Sequence, residues 1–143
     1  MSCSDFKQNL KSLHARSHAQ SRYHPAMRGH QARDWWTDGI ELFNAGRFFD
    51  CHEVWEEVWK RASGAEKLFY QGMIQAAVAI LHAQRGNPRG ARSTWDKARA
   101  KLEPLPAEHM GIALAELRDD VNAFIAQARA DVRSSPPPRI RRV

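Results

Sequence analysis

Residues 66–85 read EKLFYQGMIQAAVAILHAQR. Within them Leu68, Phe69, Met73, Ile74, Ala76, Ala77, Val78, Ala79, Ile80 and Leu81 cover nearly the whole circumference of a helix at about 100° per residue. A helix that is apolar all round is buried on most sides. This stretch therefore predicts a central helix, ending at Gly86, around which the rest of the chain packs. Its longest uninterrupted apolar run, Ala76 to Leu81, is six residues, far short of the roughly 20 that a bilayer span needs. No membrane helix is expected.

On the N-terminal side, Asp34 reads as an N-cap for a helix carrying Trp36, Ile40 and Phe43 at helical spacing, with Gly46 as its C′ stop. A second helix runs from about Phe48 to Ala62, closed by Ser63-Gly64. On the C-terminal side Gly86-Asn87-Pro88 is a complete stop and start: glycine at C′, asparagine at the next N-cap, proline at N1. A fourth helix follows to about Leu102, with Ala91, Trp95, Ala98 and Leu102 on one stripe, and Pro104 and Pro106 break it. A fifth, starting between Ala107 and Gly111, carries Leu114, Leu117, Val121, Phe124, Ala128 and Val132. Apolar residues recur at three and four, not two, so no strand competes. The fold class is all-α: a single bundle of about five helices, mostly antiparallel because the connections are short.

The chain has 143 residues and a net charge of +6, with 43% hydrophobic and 27% charged residues, a globular composition of single-domain size. The charge divides unevenly. Residues 1–33 hold six Lys/Arg against Asp5, a balance of +5; residues 132–143 add +4; residues 34–131 carry 12 basic and 15 acidic side chains, or −3. The expected layout is a basic, flexible arm over 1–33 with an extra helix within 5–20, a bundle over 34–132, and a disordered Pro/Arg-rich tail over 133–143. Such arms suit salt-dependent contact with nucleic acid. Two cysteines, Cys3 and Cys51, build neither a disulfide framework nor a four-thiolate metal site. With no apolar stretch of secretory type at the N-terminus, a reducing cytoplasm is the expected compartment. A homo-oligomer is compatible with the sequence.

The chemistry-bearing residues lie on the second and third helices. Gln71, Gln75 and His82 fall within about 40° of one another on the apolar helix. Buried polar groups cost roughly 1–3 kcal/mol each when unsatisfied, so something must face them. His52 and Glu56, one turn apart on the second helix, sit on or beside the face that carries Phe48, Trp55 and Trp59. Two readings follow. One is a His/Glu/Gln hydrogen-bond network joining the two helices, with Tyr70 at its rim, in a binding or interaction module. The other is a divalent metal site, zinc or iron, with His52, Glu56 and His82 as ligands and Glu53 as base, in a metal-dependent hydrolase.

The stretch Asn44-Ala45-Gly46-Arg47-Phe48-Phe49-Asp50-Cys51-His52-Glu53-Val54-Trp55-Glu56-Glu57-Val58-Trp59 resembles the prokaryotic domain-of-unknown-function family 309. That family shows Asn-x-Gly-x-Phe/Tyr-Phe/Tyr-x-x-His-Glu-x-x-Glu-x-x-Trp. A second block follows in order, from Phe69-Tyr70-Gln71-Gly72-Met73-Ile74-Gln75 through His82, then Arg85-Gly86-Asn87 and Gly90-Ala91. The resemblance covers about residues 34–105 and implies a small all-helical domain. It marks His52, Glu53, Glu56, Gln75 and His82 as motif positions and brings no reaction, substrate or cofactor.

Overall fold

The computed structural model describes residues 32–128 and 136–143. Residues 1–31 of the arm, its helix within 5–20, Val132 and residues 133–135 of the tail lie outside these. Five helices and a small hairpin follow in order: α1 (Ala32–Asn44), α2 (Phe48–Arg61), α3 (Gly64–Gln84), α4 (Pro88–Leu102), β1 (Glu108–His109), β2 (Ile112–Ala113) and α5 (Leu114–Ala126). The all-α expectation holds. α3 is buried without a break from Phe69 to Leu81.

Two helices end in the same way for the same reason. Gly46 and Gly86 take φ of +78° and +74°, the left-handed conformation that glycine adopts without steric cost. Around Gly46, the Arg47 N–H reaches the Leu42 carbonyl at 2.9 Å and the Gly46 N–H the Phe43 carbonyl at 3.0 Å. Around Gly86, Asn87 bonds back to His82 and Gly86 to Ala83. Both are Schellman motifs, which satisfy carbonyls that a helix end leaves bare. Asn87 then caps α4, its Oδ1 accepting the Gly90 N–H at 3.0 Å.

Ring contacts and hydrogen bonds fix how the helices pair. Trp36 stacks on Trp55 at 5.1 Å and Phe43 meets Phe48 edge-on at 5.0 Å, so α1 and α2 run antiparallel. Lys101 Nζ donates to Gln75 Oε1 at 2.8 Å while His82 lies by Asn87, which makes α3 and α4 antiparallel too. Arg118 of α5 donates to the carbonyls of Leu102, Glu103 and Leu105, closing the exposed end of α4.

Four details differ from the sequence expectation. α1 begins at Ala32, so Asp34 is inside its first turn rather than at its cap. α5 begins only at Leu114, because residues 108–113 form a hairpin with Glu108 opposite Ala113 and His109 opposite Ile112. Its two-residue turn, Met110-Gly111, has φ of 51° and 77°, the pair of positive values that a tight hairpin matched to strand twist requires. α5 stops at Ala126, so Ala128 lies beyond it. The fourth difference is the tail. Residues 136–143 are not a loose end: Ile140 is 4% exposed, and Arg142 bridges Ile112 in antiparallel fashion beside the hairpin. The prolines concealed one aliphatic residue with a place in the core.

Candidate functional site

His52 is turned inward as its wheel position demands. It is fully buried, edge-on to Phe49 with ring centroids 4.8 Å apart. Glu53 and Glu56 follow on α2, both half-buried. His82 lies at a different level. Trp59 of α2 lies under Lys67 of α3, 4.4 Å from the ring centroid. Seven residues back from Trp59 and seven on from Lys67, His52 is therefore level with Ile74. His82 stands eight residues beyond, about 12 Å away along the axis at 1.5 Å per residue.

The structure does not bring the three residues of the metal reading together. His82 occupies the last turn of α3, its Nδ1 3.3 Å from Asn87 Nδ2 in the α3–α4 connection. Among the described residues no three of His, Cys, Asp and Glu are grouped so as to hold a metal ion, and His52, Glu56 and His82 do not form such a set. Gln75 is buried, and its amide oxygen accepts from Lys101 of α4. Burial, with the nearby Lys97 charge, holds the Lys101 ammonium below its usual pKa. Gln71 is buried on the same helix. Tyr70 donates to Glu66 Oε1, one turn earlier, at 2.9 Å. Partial burial and the adjacent carboxylate push its phenol pKa up, so the hydroxyl keeps its proton and acts as a donor.

What the structure does assemble is a cleft at the α2–α3 connection. About 330 Å³ in volume, it is lined by Trp36, Val58, Arg61, Ser63, Glu66, Tyr70 and Met110, with Ala62 at its edge. Its aromatic wall is pinned by the backbone. Trp36 Nε1 donates to the Met110 carbonyl and Trp55 Nε1 to the Trp36 carbonyl, each at 3.2 Å. Phe69 and Tyr70 close on Trp36 at 5.4 and 5.6 Å. The polar groups differ in how far they are committed. Arg61 Nη1 is bound to the Glu57 carbonyl and carboxylate at 2.9 and 3.0 Å, and its guanidinium lies over Trp35. The Glu66 carboxylate takes one hydrogen bond, from Tyr70, although a carboxylate has room for about four.

Sequence reasoning missed this cleft because its wall depends on Met110, brought to Trp36 by a turn that no residue type announces. The sequence places Trp36 on the apolar stripe of the first helix and Tyr70 at the rim of the His/Glu/Gln network. Cys51 is fully buried, and burial, with Asp50 beside it, raises its thiol pKa well above the usual value, so it stays protonated. At the start of α4 the Gly90 N–H is taken by the Asn87 side chain.

No helix among the described residues is long and apolar enough to cross a membrane. The chain is 30% identical over 100 residues to an uncharacterised protein of Aquifex aeolicus, covering 69% of this chain and 29% of that protein. It is 35% identical over 79 residues to the uncharacterised protein YpuF of Bacillus subtilis, covering 54% of this chain and 44% of YpuF. The matched region thus spans less than half the length of either relative. Residues 36–94, from the cleft's Trp36 to Thr94 of α4, match the family model described as Domain of unknown function (DUF309).

Proposed function

We propose that the bundle is a binding module and that the cleft between α1, the α2–α3 connection and the hairpin is where its ligand sits. One observation carries this: an aromatic wall fixed by backbone hydrogen bonds faces a carboxylate with spare acceptor capacity. Small-molecule sites measure about 300–1,000 Å³ and combine an apolar lining with a few placed polar groups. The cleft lies at the lower end, the size of one ring-bearing group. Glu66, held by Tyr70, selects a group that donates hydrogen bonds. The buried, protonated Cys51 and the separated His52 and His82 support binding rather than catalysis.

The test uses the full chain and two probes of equal size and opposite character, benzamidine and benzoate. Benzamidine should shift the Trp36 indole N–H and the Ser63 and Met110 amide signals in a saturable way, with a Kd of about 1 mM or tighter. Benzoate should bind at least about tenfold more weakly, because it brings no donor to Glu66. Glu66→Gln should erase most of that preference. Equal response to both probes, or none to either, refutes the cleft as a selective site.

A further inference from the structure

Residues 140–143 are held in the manner of a bound peptide. Asn44, the last residue of α1, spends its whole side-chain amide on one residue. Its Nδ2 donates to the Ile140 carbonyl at 2.9 Å, and its Oδ1 accepts the Ile140 N–H at 2.6 Å. That grip satisfies both backbone groups of an extended residue and is indifferent to its side chain. Identity is read by the neighbouring contacts. The Ile140 side chain is buried in the core, and Arg141 Nε donates to Glu116 Oε2 at 2.7 Å. Further along, the segment pairs with β2: the Ala113 N–H reaches the Arg141 carbonyl at 2.8 Å and the Val143 N–H the Gly111 carbonyl at 3.0 Å. The residues just before it fit less closely. Between Pro136–Pro138 and Asp120, Ala123 and Phe124 of α5, with Gln127 just beyond it, there remains a cleft of about 330 Å³.

Main-chain pairing that gives affinity, with one buried side chain and a charged neighbour that give specificity, is how strand addition recognises peptides. We infer that the face formed by Asn44, Gly111, Ile112, Ala113 and Glu116 is a recognition groove for an extended peptide with an aliphatic residue followed by arginine. Residues 140–143 are its resident ligand. A tethered ligand acts at an effective concentration of about millimolar, so a free peptide enters when the resident segment is weakened.

The experiment therefore uses the full chain carrying Ile140→Asp, which places a charge where the anchor was, and a free peptide of sequence PPPRIRRV. The peptide should shift the Ala113 amide and the Asn44 side-chain amide signals of this variant saturably. It should bind the unaltered chain at least about tenfold more weakly, because the resident segment competes, and so should a peptide whose isoleucine is replaced by aspartate. Adding Asn44→Ala to the variant should abolish binding. A folded Ile140→Asp chain that shows no shift at about 1 mM peptide overturns the inference.

Should that variant fail to fold, hydrogen exchange on the unaltered chain decides. A ligand leaves by local opening, so the Ala113 and Val143 amides should exchange at least about 100-fold faster than those of Ile74 and Ala77 in α3. Equal rates would make 140–143 an inseparable part of the core and also overturn the inference. A concentration-dependent dimer that keeps these contacts would support it, with a second copy's segment as the ligand.

Discussion

Two helix seams meet in this bundle, and each depends on a glycine in a different way. In the α1–α2 seam, Gly39 lies under the Trp55 indole: a Cβ there would stand 2.0 Å from Nε1 and 2.4 Å from Cδ1. In the α3–α4 seam, Gly72 faces the end of Leu102, where a Cβ would stand 2.9 Å from Cδ2 and 3.2 Å from Lys101 Cβ. The ring cannot yield, because it is stacked on Trp36 and its N–H is tied to the Trp36 carbonyl. The leucine meets the added Cβ first with a methyl at the end of a rotatable side chain. Close packing is thus rigid where aromatic rings supply it and adaptable where aliphatic chain ends do. The cleft stands on the rigid seam.

This contrast has measurable consequences. Gly39→Ala should lower stability by about 3 kcal/mol or more in urea unfolding, outweighing the roughly 1 kcal/mol an alanine gains in a helix. Trp55→Phe should cost about 2 kcal/mol, from lost volume and loss of the indole hydrogen bond to the Trp36 carbonyl. In the double variant the two losses should sum to less than their total by about 1 kcal/mol or more, since the smaller ring relieves the clash. Strict additivity would show that the ring is not what Gly39 accommodates. Gly72→Ala should cost about 1 kcal/mol or less, as overlap with Leu102 is offset by helix propensity. A loss as large as that for Gly39→Ala would erase the distinction between the seams.

The smallest effect is a pH dependence at the adaptable seam. Lys101 has its pKa lowered in the folded chain, by burial and then by Lys97, from the ordinary 10.5. The folded state therefore binds fewer protons than the unfolded one between the lowered value and 10.5. Across that window stability rises with pH, and the cost of the charged form is fully present below it. Lys101 is only partly buried, so the rise should be only a few tenths of a kcal/mol. Lys101→Met should remove it, as read from urea midpoints at pH 7 and pH 10.

Features set by nearby residues were readable in the chain. The centrality of α3 follows from its own circumference, and the stops at Gly46 and Gly86 from backbone geometry within one turn. Angular position was readable too, as with His52, which its wheel placed inward and the fold buries. Axial level was not. That His82 lies two turns beyond the level of His52 depends on how α2 and α3 pair, which spacing within either helix does not encode. The Met110-Gly111 turn was hidden because methionine carries no preference for positive φ. Ile140 was hidden because its burial depends on Asn44, 96 residues away.

The hairpin tip belongs to two surfaces at once. The Met110 side chain walls the cleft, and the carbonyl of the very next residue holds Val143. Thermodynamic reciprocity binds the two events: by whatever factor a molecule in the cleft alters the retention of 140–143, retention alters that molecule's affinity equally. A dissociation constant measured on a chain shortened before Pro136 would then belong to a different equilibrium from that of the whole.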